Sequence, residues 1–453
     1  MKKIGLFMLA VMALCLTACS SDNDNNNGGS QQLYDVTIKL SEAISDAEVQ
    51  LAGASTYTQK TDAEGVAKFA VPAGIYTASA SGYYIENGRK VIYNAVLGQL
   101  TVGQGQQNAA TLEVKKSDGE SVLIIKELYS GGVMKDDNSA AFNYDRCVIL
   151  YNNSDKPCTT ENLCIGYSCY FNAESTSYMG NLYSGDKLVY EGENFIPAQM
   201  AIWYFQQPLT IAPYSQVVVN IYGAIDNTQT VTNSVNYANA DYYCMYDPDY
   251  VTSDVTVKSA VSFSNTSYYP APADVIPTSH YLKTIKWGQG NAWGLSNTSP
   301  ALFVFQPKNT TVKEYFENPE NYWFIPTRAQ TPVFRCVKVP NDWIIDAVEV
   351  FNQNKLSDCK KRLTADIDGG YVTLTNQQGH SVYRNVDQEA TEALAENEGK
   401  LVYNYSLGVG ESTDPSGINA EASIKNGAHI IYKDTNNSTN DFHERQKCSL
   451  RGE

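Results

Sequence analysis

Four histidines, His280, His380, His429 and His443, are the whole supply of imidazole in 453 residues. None stands in an H-x-x-H or H-E-x-x-H spacing that would turn two ring nitrogens toward one metal, and no G-x-S-x-G elbow presents a serine nucleophile. With no nucleophile and base to pair, the expectation is a protein that is not an enzyme. Three oxygen-rich runs offer a cation the ligands it prefers: residues 247–249, 365–370 and 434–441. Calcium takes clustered carboxylate and amide oxygens on irregular loops. Asp434, Asn436 and Asp441 are the candidate ligands, with His429 and His443 flanking them. The same residue types also make ordinary turns, and no other cofactor is expected.

Binding chemistry is better supplied. Tyrosine numbers 32 against 14 phenylalanines, and "NYANADYYCMYDPDY" at 236–250 concentrates it among Asn, Ala and Asp. Rigid amphipathic rings interleaved with small hydrogen-bonding residues suit recognition loops. Tyr237, Tyr242, Tyr243, Tyr246 and Tyr250 are therefore the candidate ligand contacts, for a small nutrient or a glycan. The competing reading is that these rings face inward or across strands. Eight of the ten cysteines lie from residue 147 onward, and those from 147 to 169 sit where local disulfides would staple a loop-rich segment. Cys164 and Cys169 are too far apart, and too far from any histidine, for a structural zinc.

Alternating and buried-run patterns must position these residues. "YDVTIKL" at 34–40 puts Val36, Ile38 and Leu40 on one face of a strand. In residues 61–84 a turn at Glu64-Gly65 leads to a strand with Ala67, Phe69 and Val71 inward. Asn87-Gly88 marks a hairpin, and a small β module closes near Lys116. A linker at 116–121 precedes "VLIIKELYSGG", a buried-strand signal. The one helix expected spans 387–400 on the surface, with Asp387 as N-cap and Gly399 just past its end. The glycines of "GQGNAWG" (288–294) and "GVGEST" (408–413) read as turns, since neither follows a strand and opens a helix.

The chain begins with Lys2, Lys3 and an apolar run from Ile4 to Leu16, a signal peptide too short to span a bilayer. "LTAC" at 16–19 resembles the lipobox of bacterial lipoproteins, which implies cleavage after residue 18 and acylation of Cys19. Residues 19–33 hold almost no apolar side chain, so a flexible tether is expected. Asp22 and Asp24 resemble the export signal of surface lipoproteins, implying outer-membrane anchoring through lipid. The formal net charge of −16 becomes −18 once Lys2 and Lys3 are removed, which disfavours nucleic acid and anionic membranes as partners.

Residues 34–116 resemble the carboxypeptidase-regulatory-like, transthyretin-like modules, through Asp62, Gly65, Phe69, Val71, Gly74 and Tyr76. Residues 121–453 resemble a lamin-tail-like immunoglobulin sandwich, through "IIKELYSGG" (124–132), "YDRCVILYNNSDKPC" (144–158) and "WIIDAVEVF" (343–351). The acid that family carries in its second strand is replaced at Ile149 or its neighbour. Together these imply an all-β chain, a small sandwich followed by a larger one, with long insertions at 159–208 and 227–291 that would carry function. Through "SLGVGESTDPSG", "GAHIIYKDTNNSTNDF" and the closing "LRG" the larger region also resembles Gram-negative surface lipoproteins of unknown function. That resemblance implies association with a TonB-dependent receptor and capture of a scarce nutrient such as an iron chelate. Adhesion to glycans or proteins is the alternative, since tandem β modules on a leash serve either use.

Overall fold

In the strand Leu33–Leu40, Val36, Ile38 and Leu40 are buried while Asp35, Thr37 and Lys39 face water. The computed structural model describes residues 32–86, 89–118, 122–169, 181–250, 268–288, 292–326, 329–331 and 334–451. The leader, Cys19, the tether up to residue 31 and the Asn87-Gly88 turn lie outside the described residues. Leu33–Leu40 pairs antiparallel with Val66–Pro72 and parallel with Ala109–Leu112. Ala67, Phe69 and Val71 point inward as the spacing predicts, and Gly65 closes the preceding turn at φ 75°. A Cβ there would lie 2.7 Å from the Glu42 carbonyl oxygen. The opposing sheet has five strands, in the order Thr56–Lys60, Glu48–Ala52, Gly74–Glu86, Arg89–Val102, Lys115–Asp118. One apolar core fills the space between the two sheets.

Two six-stranded sheets form the larger sandwich. The first runs Tyr243–Cys244, Gln216–Tyr222, Arg146–Asn152, Leu123–Tyr129, Ser381–Arg384, Phe442–Arg445. The second runs Lys283–Lys286, Ala201–Tyr204, Cys164–Tyr167, Ala301–Phe305, Ile344–Asn352, Val372–Leu374. Their facing residues, among them Ile125, Leu150, Val219, Trp203, Val304 and Val348, form the main core. A third sheet, Phe195–Gln199, Arg335–Pro340, Tyr322–Phe324, covers the far side of the second. Residues 386–432 and the C-terminal turn cover the far side of the first. Sheets buried on both faces explain why Leu123–Tyr129 and Arg146–Asn152 are buried at every position and read as runs rather than alternations.

Several expectations are corrected. The stretch 159–208 is built into the sandwich: it supplies Cys164–Tyr167 and Ala201–Tyr204 to the second sheet and Phe195–Gln199 to the third. Likewise 227–291 contributes the edge strands Tyr243–Cys244 and Lys283–Lys286. Cys147, Cys158 and Cys164 lie on strands rather than in a loop cluster. The helix expected over 387–400 stops after Gln388–Glu392 and resumes only as a 3₁₀ turn at Ala395–Asn397. Its N-cap holds, with Asp387 Oδ1 accepting from Ala390 N at 3.0 Å. Three small or single apolar positions do not hold three turns, and buried Asn397 donates instead to the carbonyls of Thr391 and His429. Three other short α-helices, Val312–Phe316, Ala420–Lys425 and Ser438–Asp441, accompany it among the described residues.

Candidate functional site: a cleft between the two modules

The outer face of the five-stranded sheet is built from small and polar residues. Glu48, Gln50 and Ala52 alternate with buried Val49 and Leu51, and Thr77, Ser79 and Ser81 with buried Ala78 and Ala80. Register places Gln50 opposite Ser79, and Ser79 opposite Val96. This face meets the C-terminal part of the large module, and a cleft of about 810 Å³ opens between them. Its far wall includes Asn385, Asp387, Ser412, Lys433, Thr439 and His443. A narrower groove of about 420 Å³ continues past Gln50, Ser79 and Val96 to Gly370 and Tyr371.

Asparagines fasten the two walls. Asn94, buried in the strand Arg89–Val102, donates through Nδ2 to the carbonyls of Thr435 (3.0 Å) and Asn436 (2.9 Å). Asn436 Nδ2 donates to Ser117 Oγ at 2.8 Å, and Asn440 Nδ2 bonds Ser81 Oγ. Asn437 caps the helix Ser438–Asp441. Gly369 and Gly370 permit this approach, since a Cβ on Gly370 would lie 2.7 Å from the Thr439 nitrogen.

The run 434–441 is thus a docking element, and its carboxylates Asp434 and Asp441 are turned toward the guanidinium of Arg384. Asp434 Oδ1 lies 3.4 Å and Asp441 Oδ2 3.7 Å from Nη1 of the fully buried Arg384, whose Nη2 bonds Asp346. Asp441 also accepts from the nitrogens of Thr435 and Asn437. Asn436, in the left-handed region at φ 50°, turns its amide toward the small module. Among the described residues no group of three or more His, Cys, Asp or Glu is placed to hold a metal. Burial pushes the Asp346 carboxyl up against the pull of Arg384, and pushes Asp441 up to about 6.

His443, at the cleft wall, has both ring nitrogens engaged: Nδ1 with Asn385 Oδ1 at 2.7 Å, Nε2 with the Tyr405 hydroxyl. Burial, aided by Arg445, pulls its pKa down to about 3, so the ring is neutral and is not poised to take a proton. Thr439 Oγ1 is held between the Tyr371 carbonyl and nitrogen. Exposed or half-exposed charges at the rim are mostly acidic: Asp46, Glu48, Asp387, Glu389 and Glu411 against Lys60 and Lys433. The cleft can offer hydrogen bonds and negative charge.

The predicted tyrosine contacts lie elsewhere, at the edge strands of the large sandwich. Tyr237 is fully buried beside Tyr129 and Ile149 and makes no surface contact, which overturns its assignment as a ligand residue. Tyr243 stacks on His280 with ring centroids 4.1 Å apart. Tyr246 packs edge-on against Tyr281, and the Tyr250 hydroxyl accepts from Lys286 N. Tyr242 is half-buried, its carbonyl 3.1 Å from His280 Nδ1. Between these rings Asp247 is buried and paired with Lys283 at 2.8 Å. The segment joins strands of the two large sheets, and Tyr242, Tyr243, Tyr246 and Tyr250 are half-buried there. The cleft residues carried one readable signal, the small-polar alternation "TASAS" at 77–81. Its partner wall lies more than 300 residues away.

Fold and cleft define an all-β chain of two sandwich modules docked across a polar, acid-rimmed groove. Residues 212–406 match the family described as protein of unknown function (DUF4876). Among solved structures, a DUF4876 family protein from Bacteroides thetaiotaomicron VPI-5482 aligns over 90% of this chain and 94% of its own, at 17% identity and TM-score 0.49. A DUF3823 family protein from Parabacteroides merdae ATCC 43184 covers 40% of this chain and 96% of its own, at 10% identity and TM-score 0.15. No curated protein matches.

Proposed function

We propose that the protein is a non-enzymatic lipoprotein, held at the outer membrane through Cys19 and exposed at the cell surface. Its role is to capture a small nutrient for a TonB-dependent transporter. The observation that carries this reading is the cleft of about 810 Å³, walled by both modules and large enough for a ligand. Its acid-rich, hydroxyl-rich and amide-rich lining favours a neutral polyhydroxylated molecule or a cationic chelate over an anionic one. The lipobox resemblance and the acidic tether support the anchoring. The test is a thermal-shift panel on the purified protein with oligosaccharides, haem, cobalamin, cationic and anionic iron chelates, and calcium. A ligand that binds only the native state raises the midpoint saturably. Protease treatment of intact cells, which should shave the protein from the surface, tests the location. Absence of any shift moves the weight to adhesion.

A further inference from the structure

We propose that Cys147 and Cys448 form a disulfide that staples the C-terminal turn to the first large sheet. Their sulfurs lie 4.0 Å apart and both residues are fully buried. Both are free thiols in the structure, and the bond would bring their sulfurs to about 2.05 Å. Cys147 sits mid-sheet, paired with Tyr129 and Asn220. Cys448 follows the edge strand Phe442–Arg445 in a turn closed by the Arg451 nitrogen on the Cys448 carbonyl at 3.0 Å. That turn is already anchored, because Ser449 donates to Glu127 through its nitrogen at 3.0 Å and through its hydroxyl. The surroundings are apolar, Ile149, Val218 and Val235, with the rings of Tyr129 and Tyr237.

The two cysteines are 301 positions apart, so the link closes a very long loop, and in the chain-entropy view long loops restrain the unfolded state most. Since both sulfurs are sealed in the folded state, the bond forms while the C-terminal turn is undocked. The Cys448 thiolate attacks a low-molecular-weight or protein disulfide and expels one thiolate. The Cys147 thiolate then attacks the Cys448 sulfur of the mixed disulfide, forming the new S–S bond and expelling the second. The two cysteines lose two electrons and two protons, and the oxidant disulfide takes them up as two thiols. This does not depend on the ligand reading.

The test is to reduce and unfold the full chain, refold it in oxidised and reduced glutathione, denature it in excess N-ethylmaleimide, and digest it without reductant. The expected product is one linked peptide joining Cys147 to Cys448, lighter than its two thiol halves by two hydrogens. The denaturant midpoint of the oxidised protein should exceed that of the reduced protein, and Cys448→Ser should abolish the difference. Recovery of both cysteines alkylated from refolded protein, or of Cys448 linked to a different cysteine, would overturn the proposal.

Discussion

Asn94 is the side chain on which docking of the modules should depend most. Asn94→Ala removes two donated hydrogen bonds and leaves the carbonyls of Thr435 and Asn436 facing an apolar methyl. A buried group that loses its partner costs about 1–3 kcal/mol. The Asn436 carbonyl keeps the Gly369 nitrogen at 2.7 Å, so the larger loss falls on Thr435. The Asn94 Oδ1, buried without a hydrogen-bond partner among the described residues, disappears too and offsets part of it. The net expectation is a loss of about 2 kcal/mol. Asn94→Asp keeps the shape but sets a carboxylate oxygen against two carbonyls, and an uncompensated buried charge costs about 3–5 kcal/mol. Urea denaturation followed by circular dichroism gives the stabilities, and hydrogen exchange at Gly369 reports the junction itself. The order wild type, Ala, Asp is expected. An Asn94→Asp variant with the wild-type midpoint and unchanged exchange would show that these bonds do not hold the modules.

Other outcomes follow from single groups. Gly370→Ala should cost about 1–3 kcal/mol in denaturant stability, because its methyl has no room beside Asn437 and Thr439; a neutral result would mean the two loops are not in contact. Tyr237→Phe should leave the denaturation midpoint unchanged or raise it, since the buried hydroxyl has no hydrogen-bond partner among the described residues; a large loss would contradict this. Asp145 is raised by burial from 3.8 to about 6, against hydrogen bonds from Val235, Tyr129 and Asn227. A carboxyl raised in the folded state lends stability below its unfolded pKa, and loses it as pH rises through its folded one. About two pKa units correspond to roughly 3 kcal/mol, so Asp145→Asn should flatten the pH dependence of stability between about pH 4 and 6. Parallel wild-type and mutant curves would refute that assignment.

Local pattern made the small sandwich legible. Val36, Ile38, Leu40, Ala67, Phe69 and Val71 all point where period-two alternation puts them, since one face of each strand is wet. The large sandwich was legible only at its seven-residue buried strands. Phe195–Gln199 carries a proline and a glutamine yet is buried throughout, because it lies between layers and its partner Arg335–Pro340 is distant in sequence. The run 434–441 was read by its oxygen content, which suits calcium and turns alike. Its role as a clamp is set by Arg384, Asn94, Ser117 and Ser81, none adjacent in the chain. Tyr237 shows the same limit: ring type and neighbours suggested a recognition surface, and only the packing against Tyr129 and Ile149 places it inside.

Whether the cleft binds anything can be asked by comparing wild type with Ser79→Trp, whose indole would fill the groove between the two cavities without touching the core. Thermal shifts of both proteins are measured side by side against oligosaccharides, haem, cobalamin and cationic iron chelates. At least one compound should raise the wild-type midpoint saturably and leave the Ser79→Trp midpoint in place. A shift of equal size in both proteins would put the binding site elsewhere, and no shift in either would remove the case for nutrient capture in the cleft.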